Sequence, residues 1–189
     1  MLRIITGTAK NTMLEVPSSA RPMMDRVKTS VFDQLNFLIN ENVRVLDLYA
    51  GSGALGLECL SRGAKYSKFV EITKEGVRAI WHNAEKCKFD KAKYWVEKAD
   101  ALEFCFDTLH RNYKLKTDDE KEVYNLIFVC PPHIDTNDEI LRLAGKLLEV
   151  NGLLVAECPS EKSLNQSIEN LKFIELRQYG GTKIYFYTK

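Results

Sequence analysis

Apolar positions recur along this chain with two alternating periods. Short runs rich in Val, Ile, Phe and Tyr at Val43–Leu48, Tyr66–Ile72, Lys93–Glu97, Tyr124–Val129, Leu153–Glu157, Phe173–Arg177 and Lys183–Tyr187 predict β-strands. The longer amphipathic stretches Ala54–Arg62, Lys74–Cys87, Ala101–Arg111, Asp138–Glu149 and Glu161–Asn170 predict helices, with Gly152 after Asn151 as a helix stop. Strands alternating with helices build βαβ units, so an α/β fold with a mostly parallel, doubly wound sheet is expected. The last two strands have only Gln178-Tyr179-Gly180-Gly181-Thr182 between them, which predicts a C-terminal antiparallel hairpin.

Ahead of the first core strand lie an apolar-polar stretch (Leu2–Val16), a turn at Pro17-Ser18-Ser19, and a predicted helix from about Met24 to Leu38 with Val27, Val31, Leu35 and Leu38 at helical spacing. The highly charged Tyr113–Glu122 has little to bury and reads as a solvated loop. With 189 residues and 45% hydrophobic content the chain is expected to form one domain over 1–189, a small N-terminal extension (1–40) leading into a core (41–189).

Charge and cysteine usage narrow the classes. The 27 Lys and Arg against 26 Asp and Glu give no overall basic excess, so any nucleic-acid surface must be local. The five cysteines have no Cys-x-x-Cys pair and no histidine at ligand spacing, which argues against a structural metal and against a disulfide framework. No apolar run approaches the roughly 20 residues needed to span a bilayer, and the N-terminus turns polar too soon for a signal peptide. A soluble, cytoplasmic protein with no metal and no membrane partner is expected.

The chemistry-bearing segment is Val45-Leu46-Asp47-Leu48-Tyr49-Ala50-Gly51-Ser52-Gly53-Ala54-Leu55-Gly56, a strand, a glycine turn and a helix start in succession. Gly51 and Gly53 permit a sharp turn and close approach of a ligand, and Gly56 lets the helix pack near the sheet. Taken alone the spacing also fits a dinucleotide fingerprint. Asp47 decides between them. A carboxylate there repels the pyrophosphate of NAD, whereas S-adenosylmethionine brings an ammonium and a sulfonium that a carboxylate holds directly or through water. A turn-stabilising role is the alternative for Asp47.

Glu71 ends the second strand 20 residues beyond Gly51, where a carboxylate can take both ribose hydroxyls. Asp100 follows the third strand and, with the backbone of Ala101, could hold the adenine edge; it also suits the N-cap of the next helix, and the two roles can coexist. Tyr49 and Ser52 in the turn and Ile72 beside Glu71 complete the candidate cofactor residues.

Three segments carry a family resemblance: Arg21-Pro22-Met23-Met24-Asp25-Arg26-Val27-Lys28, then Asp47 through Glu58, then Pro131-Pro132 at the end of the fourth strand. With the opening Arg3-Ile4-Ile5-Thr6-Gly7 and the closing Tyr179-Gly180-Gly181-Thr182, the chain resembles the RsmD family over nearly its whole length. The glycine motif is shared by a wide superfamily, whereas the Arg-Pro-x-x-Asp-Arg-Val-Lys segment is much narrower. The resemblance implies a Rossmann-like class I methyltransferase fold, S-adenosylmethionine as methyl donor, and transfer to the exocyclic N2 amine of a guanine in small-subunit ribosomal RNA, free or in an assembly particle. It also suggests that Arg3, Lys10, Arg21, Arg26 and Lys28 contact RNA phosphates, against the alternative of a solvated basic face or a structural ion pair.

The catalytic strand end departs from that family. Its fourth strand ends Asp/Asn-Pro-Pro-Tyr/Phe, and here Cys130-Pro131-Pro132-His133 stands instead. A guanine amine is a poor nucleophile because its lone pair is delocalised into the ring, so an oxygen acceptor that orients it matters. The Pro131 carbonyl remains as one acceptor, but a thiol is a weak one. His133 can still stack on an extruded base and adds a group that titrates near neutrality. The competing reading is a homologue that binds cofactor or RNA with turnover impaired. A nucleophilic cysteine attacking a pyrimidine lacks matching motifs, and an NAD oxidoreductase is disfavoured by Asp47 and the Pro-Pro strand end. His82 and His110 read as surface or satisfied histidines.

Overall fold

The computed structural model describes residues 2–18, 20, 23–132 and 137–189; Arg21, Pro22 and His133 of the sequence reading lie outside them. The chain divides into two compact units, Met1–Lys98 and Ala99–Lys189.

The first unit holds α1 (Asp25–Leu35), β1 (Arg44–Leu48), α2 (Ala54–Ser61), β2 (Tyr66–Glu71), α3 (Lys74–Lys86) and β3 (Tyr94–Lys98). Its strands run parallel in the order β3-β2-β1, with Asp47 opposite Phe69 and Glu71 opposite Lys98. Every residue of α2 is buried. Its sequence, Ala-Leu-Gly-Leu-Glu-Cys-Leu-Ser, is mostly apolar, and its polar residues Glu58 and Ser61 are buried too, so it requires cover on all sides. The N-terminal segment provides part of it: Leu2, Ile4, Ala9 and Leu14 are buried, the segment folds back on itself at the Arg3–Met13 bridge, and Ser61 binds Thr6, Thr8 and Ala9 through backbone and hydroxyl.

The second unit holds α4 (Ala101–Lys114), β4 (Tyr124–Val129), α5 (Asp138–Lys146), β5 (Leu148–Pro159), β6 (Ser167–Ile168), β7 (Leu171–Tyr179) and β8 (Thr182–Thr188). β4 and β5 are parallel, after which β8, β7 and β6 follow in antiparallel register. The expected C-terminal hairpin is present, turning at Gly180-Gly181 with Gly180 at φ +56°. Leu126, Ile127, Phe128, Leu154, Val155 and Ala156 form the buried centre of this unit.

Two expectations are corrected. Glu161–Asn170 is not a helix but an extended segment with the two-residue β6. Leu164 and Ile168, four apart, are both buried as a helical pattern would have them, yet the local polar side chains compete with a helix for the backbone: Asn165 Oδ1 accepts from Ser167 N at 2.9 Å, and Asn170 sits at φ +64°. The helix predicted over Asp138–Glu149 ends at Lys146, and Gly152 lies inside β5 rather than stopping a helix. Register passes from Tyr124↔Leu148 directly to Leu126↔Leu153, so Asn151, at φ +63°, and Gly152 lie in a bulge.

Candidate functional site

In the first unit the structure gathers the acidic and glycine residues of the sequence reading around one turn. After β1 the backbone enters left-handed conformations at Tyr49 (φ +62°), Gly51 (+55°) and Gly53 (+76°). Such a conformation at a bulky non-glycine residue is strained and concentrates at functional sites. A Cβ at Gly51 would stand 3.2 Å from the Ala20 side chain, so the turn keeps a bare backbone surface where a side chain would crowd it. Gly56 behaves as expected: a Cβ there would lie 2.4 Å from Phe69 and from Ser67, so only glycine lets α2 lie this close to β2.

Asp47 is 1% exposed and its Oδ2 accepts from Gly56 N at 3.0 Å. Gly53, the N-cap of α2, has no side chain to offer, so Asp47 caps the helix from the preceding strand. Burial pushes its carboxyl up to about 8, with the Gly56 amide opposing and the negative charge of Glu71 adding to the rise. Asp47 is therefore the residue that caps the turn and a buried acid that favours its protonated form.

Glu71 spans the other wall of the turn. Its Oε2 accepts from Gly51 N at 2.8 Å, and its Oε1 accepts from Thr73 N at 2.8 Å and from Thr73 Oγ1 at 2.7 Å. Thr73 also caps α3, its Oγ1 accepting from Gly76 N at 3.0 Å. A Cβ at Gly76 would meet Glu71 Cγ at 2.6 Å, so glycine there is what lets the helix start beside the carboxylate. Sequence reasoning missed both. The Thr-x-x-Gly helix start was visible as a capping signal; the approach of Gly76 to Glu71 was not, because only packing sets it. Asn83 was missed as well: it donates to Ser52 O at 2.9 Å and exchanges two hydrogen bonds with the Glu15 backbone, tying the glycine turn to the N-terminal segment. Ser52 is buried, and Ile72 is largely exposed.

In the second unit Asp100 is the N-cap of α4, its Oδ1 accepting from Leu102 N at 2.9 Å and Glu103 N at 3.2 Å, and Ala101 is buried in the first turn. Cys130 and Pro131 are half-buried and Pro132 is exposed just past the end of β4. All five cysteines are thiols, and among the described residues no cluster of three His, Cys, Asp or Glu could hold a metal ion. No helix among the described residues is long and apolar enough to cross a membrane. His82 is exposed and pairs with Glu15 at 2.7 Å.

Of the basic residues assigned to RNA, Arg3, Lys10 and Arg26 are exposed. Lys28 is not, and its assignment is corrected. It is 0% exposed, donates to the Arg3 carbonyl and lies 3.6 Å from Glu58. Glu58 also accepts from Ile5 N, Thr6 N and Arg62 Nε, so this buried carboxylate fastens the N-terminal segment to α2. Burial holds the Lys28 ammonium below its usual range against the pull of Glu58 and Asp25. Sequence spacing could not reveal this, because Glu58 is 30 residues away. Lys28→Ala is accordingly expected to lower stability by ~3 kcal/mol, since it leaves a buried carboxylate short of a cation. Denaturant titration reads this, and RNA affinity of the folded protein should equal that of the parent; weakened RNA binding at undiminished stability would reverse the assignment.

Comparison with known proteins extends these observations to the whole chain. YlbH of Bacillus subtilis (strain 168) is 31% identical over 194 residues, covering 100% of this chain and 99% of that protein. Ribosomal RNA small subunit methyltransferase D of Escherichia coli (strain K12) is 32% identical over 158 residues, covering 82% and 71%. The solved structure of yhhF from Escherichia coli superposes with a TM-score of 0.81 at 27% identity, covering 100% of this chain and 97% of that one. The family model described as conserved hypothetical protein 95 matches residues 2–188, and with relatives of this similarity the chain belongs to the RsmD family of methyltransferases.

Proposed function

We propose that this chain is an S-adenosylmethionine-dependent ribosomal RNA methyltransferase acting on the N2 amine of a guanine in the small-subunit RNA. The observation that carries the reading is the pair of carboxylates bracketing a bare-backbone glycine turn, Asp47 beneath it and Glu71 hydrogen-bonded to Gly51 N. When bound, the cofactor supplies an electrophilic methyl group on a sulfonium centre. Asp47, whose ionisation a cation favours, answers the positive charge of the donor. Glu71 offers its remaining lone pairs to the ribose hydroxyls while Gly51 and Thr73 hold its plane, and the turn residues Tyr49, Gly51, Ser52 and Gly53 let the ligand approach backbone. Ile72, exposed at the end of β2, supplies apolar cover.

From the second unit, Asp100 keeps Oδ2 available while Oδ1 caps α4, and with Ala101 it recognises the adenine edge. The Cys130-Pro131-Pro132-His133 strand end receives the guanine: the Pro131 carbonyl accepts from the amine and His133 stacks on the base. Arg3, Lys10, Arg21 and Arg26 contact RNA phosphates. Small-subunit ribosomal RNA, alone or in an assembling particle, is the proposed partner.

Calorimetry with S-adenosylhomocysteine tests the cofactor half. Glu71→Ala should weaken binding about tenfold, as expected for losing hydrogen bonds to a charged group. Transfer of labelled methyl from S-adenosylmethionine to ribosomal RNA and to assembly intermediates tests the other half. Unchanged affinity in both Glu71→Ala and Asp47→Ala would refute the cofactor assignment, and label appearing elsewhere than on guanine N2 would refute the target atom.

A further inference from the structure

The +1 charge of the whole chain conceals a local excess. Residues 74–98, covering α3 and β3, hold seven Lys and Arg against four Asp and Glu, a net of +3, so the remaining residues together carry −2. Three of the four acids are already engaged: Glu75 with Ser18, Glu85 with Lys91, and Glu97 with Lys68. Asp90 caps a short 3-10 turn. Lys74, Arg78, Lys93 and Lys98 are exposed and form no ion pair among the described residues.

Their positions do not serve the stability of the helix. Lys74 opens α3 and Arg78 lies one turn on at i+4, so two like charges adjoin each other near the positive end of the helix dipole. Both effects oppose helix formation. One further turn along the same face stands Trp81, whose ring meets Trp95 edge-on at 6.3 Å between centroids. Trp95 belongs to β3, which among the described residues pairs with β2 alone, and is 53% exposed. The stripe begins at the exposed Ile72, next to Glu71 of the candidate cofactor turn, and runs through Lys74, Arg78 and Trp81 to Trp95.

Lysines flanking an edge strand also guard it against aggregation. That role explains Lys93 and Lys98, but it leaves unexplained the helix cations and a half-exposed indole where a polar residue would protect better. Cations held against their own helix, beside a half-exposed indole, match the requirements of single-stranded nucleic acid: phosphates to neutralise and bases to stack.

We propose that the outer face of α3 and the open edge of β3 form a second RNA-contacting surface, which takes an unpaired segment of the ribosomal RNA by stacking a base on Trp95 and binding phosphates at Lys74 and Arg78. The proposal rests on the ribosomal RNA reading above. The surface is distinct from the basic residues of the N-terminal extension, and it grips RNA beyond the reacting nucleotide.

Binding of a labelled single-stranded fragment of small-subunit ribosomal RNA to the full chain, followed by anisotropy over a salt series, tests it. Lys74→Ala/Arg78→Ala should make the slope of log affinity against log salt shallower by ~1.4, two phosphate contacts on a single strand. Its thermal midpoint should equal or exceed that of the parent. Trp95→Ala should weaken binding about tenfold, Trp95→Phe should retain most of the affinity, and neither should alter affinity for S-adenosylhomocysteine. If the parent binds RNA and the variants match its affinity and slope, this surface is refuted while the ribosomal RNA reading stands. If the parent binds no RNA, both fall. Loss of self-association in Trp95→Ala with RNA affinity unchanged would assign the face to a second copy of the chain and overturn the proposal.

Discussion

Cys130→Asp is expected to raise methyl transfer to ribosomal RNA by ~10²–10³, the factor lost when one oriented electrostatic contact is removed from a catalytic site. The guanine N2 lone pair is shared with the ring, and an acceptor that takes a hydrogen bond from the amine both orients it and favours its charge development as the methyl arrives. Two acceptors are available to the family at this strand end, a side-chain oxygen and the carbonyl between the prolines. This chain retains Pro131 but presents the sulfur of Cys130, a weak acceptor. Cys130 is half-buried immediately after β4, whose last residues Ile127, Phe128 and Val129 are fully buried. The strand end is thus anchored by its buried neighbours, and the half-buried position 130 leaves part of a carboxylate open to solvent. His133→Tyr should add less under the proposed function, because an imidazole can stack on a base as a phenol ring does, and the two changes need not add, since that reading sets both groups against one base. The comparison requires equal cofactor occupancy and a pH series, so that titration of His133 is not mistaken for repair. Cys130→Asp that binds cofactor and RNA as the parent does, yet transfers no faster, would show that the acceptor is another group or that turnover is not the work of this chain.

Asp47→Asn is expected to stabilise the protein on the order of 5 kcal/mol at pH 8 and by nothing near pH 4, while weakening the cofactor. Burial lifts the Asp47 carboxyl from 3.8 to about 8 in the folded chain. Below about pH 4 both folded and unfolded chains carry the proton. Between about 4 and 8 the unfolded chain releases it and the folded chain keeps it, so the unfolded state binds fewer protons and stability falls as pH rises. Above 8 both are ionised and the cost is constant. An amide keeps the acceptor for Gly56 N and removes the charge, so Asp47→Asn lacks this slope. A cationic ligand has the opposite interest: it favours ionised Asp47, so affinity of the parent for S-adenosylmethionine should climb with pH toward 8 and binding near pH 7 should release a proton. Denaturant titrations at several pH values and calorimetry in buffers of different ionisation enthalpy measure both. Parallel stability profiles for parent and variant would show that Asp47 does not hold a proton at neutral pH.

The sequence by itself determined the alternation of strands and helices, the C-terminal hairpin and the glycine turn with its acids. These rest on local periodicity and on residue types that only a few backbone conformations demand, and the structure returns them with shifts of a few residues: α2 at Ala54–Ser61, β2 at Tyr66–Glu71, β8 at Thr182–Thr188. It also gave Asp100 both of its readings, and the capping role is the one the geometry displays.

Tertiary structure decided what periodicity leaves degenerate. Leu164 and Ile168 are buried in the extended segment at a spacing that also suits a helix, so apolar spacing could not tell the two apart, and the Asn165 side chain between them settled it by accepting from the Ser167 backbone N. Lys28 sits in a motif rich in cations and reads as a solvent-facing charge until the fold brings Glu58 and the Arg3 carbonyl to it. The burial of Asp47, which turns an ordinary carboxylate into one that keeps its proton to about pH 8, depends on α2 and the strands around it closing over the turn. The approach of Gly76 to Glu71, and of Trp81 on α3 to Trp95 on β3, likewise joins residues separated in sequence. Desolvation and pairing are properties of what surrounds a group, and a residue's neighbours in space are set by the packing of elements that the chain only lists in order.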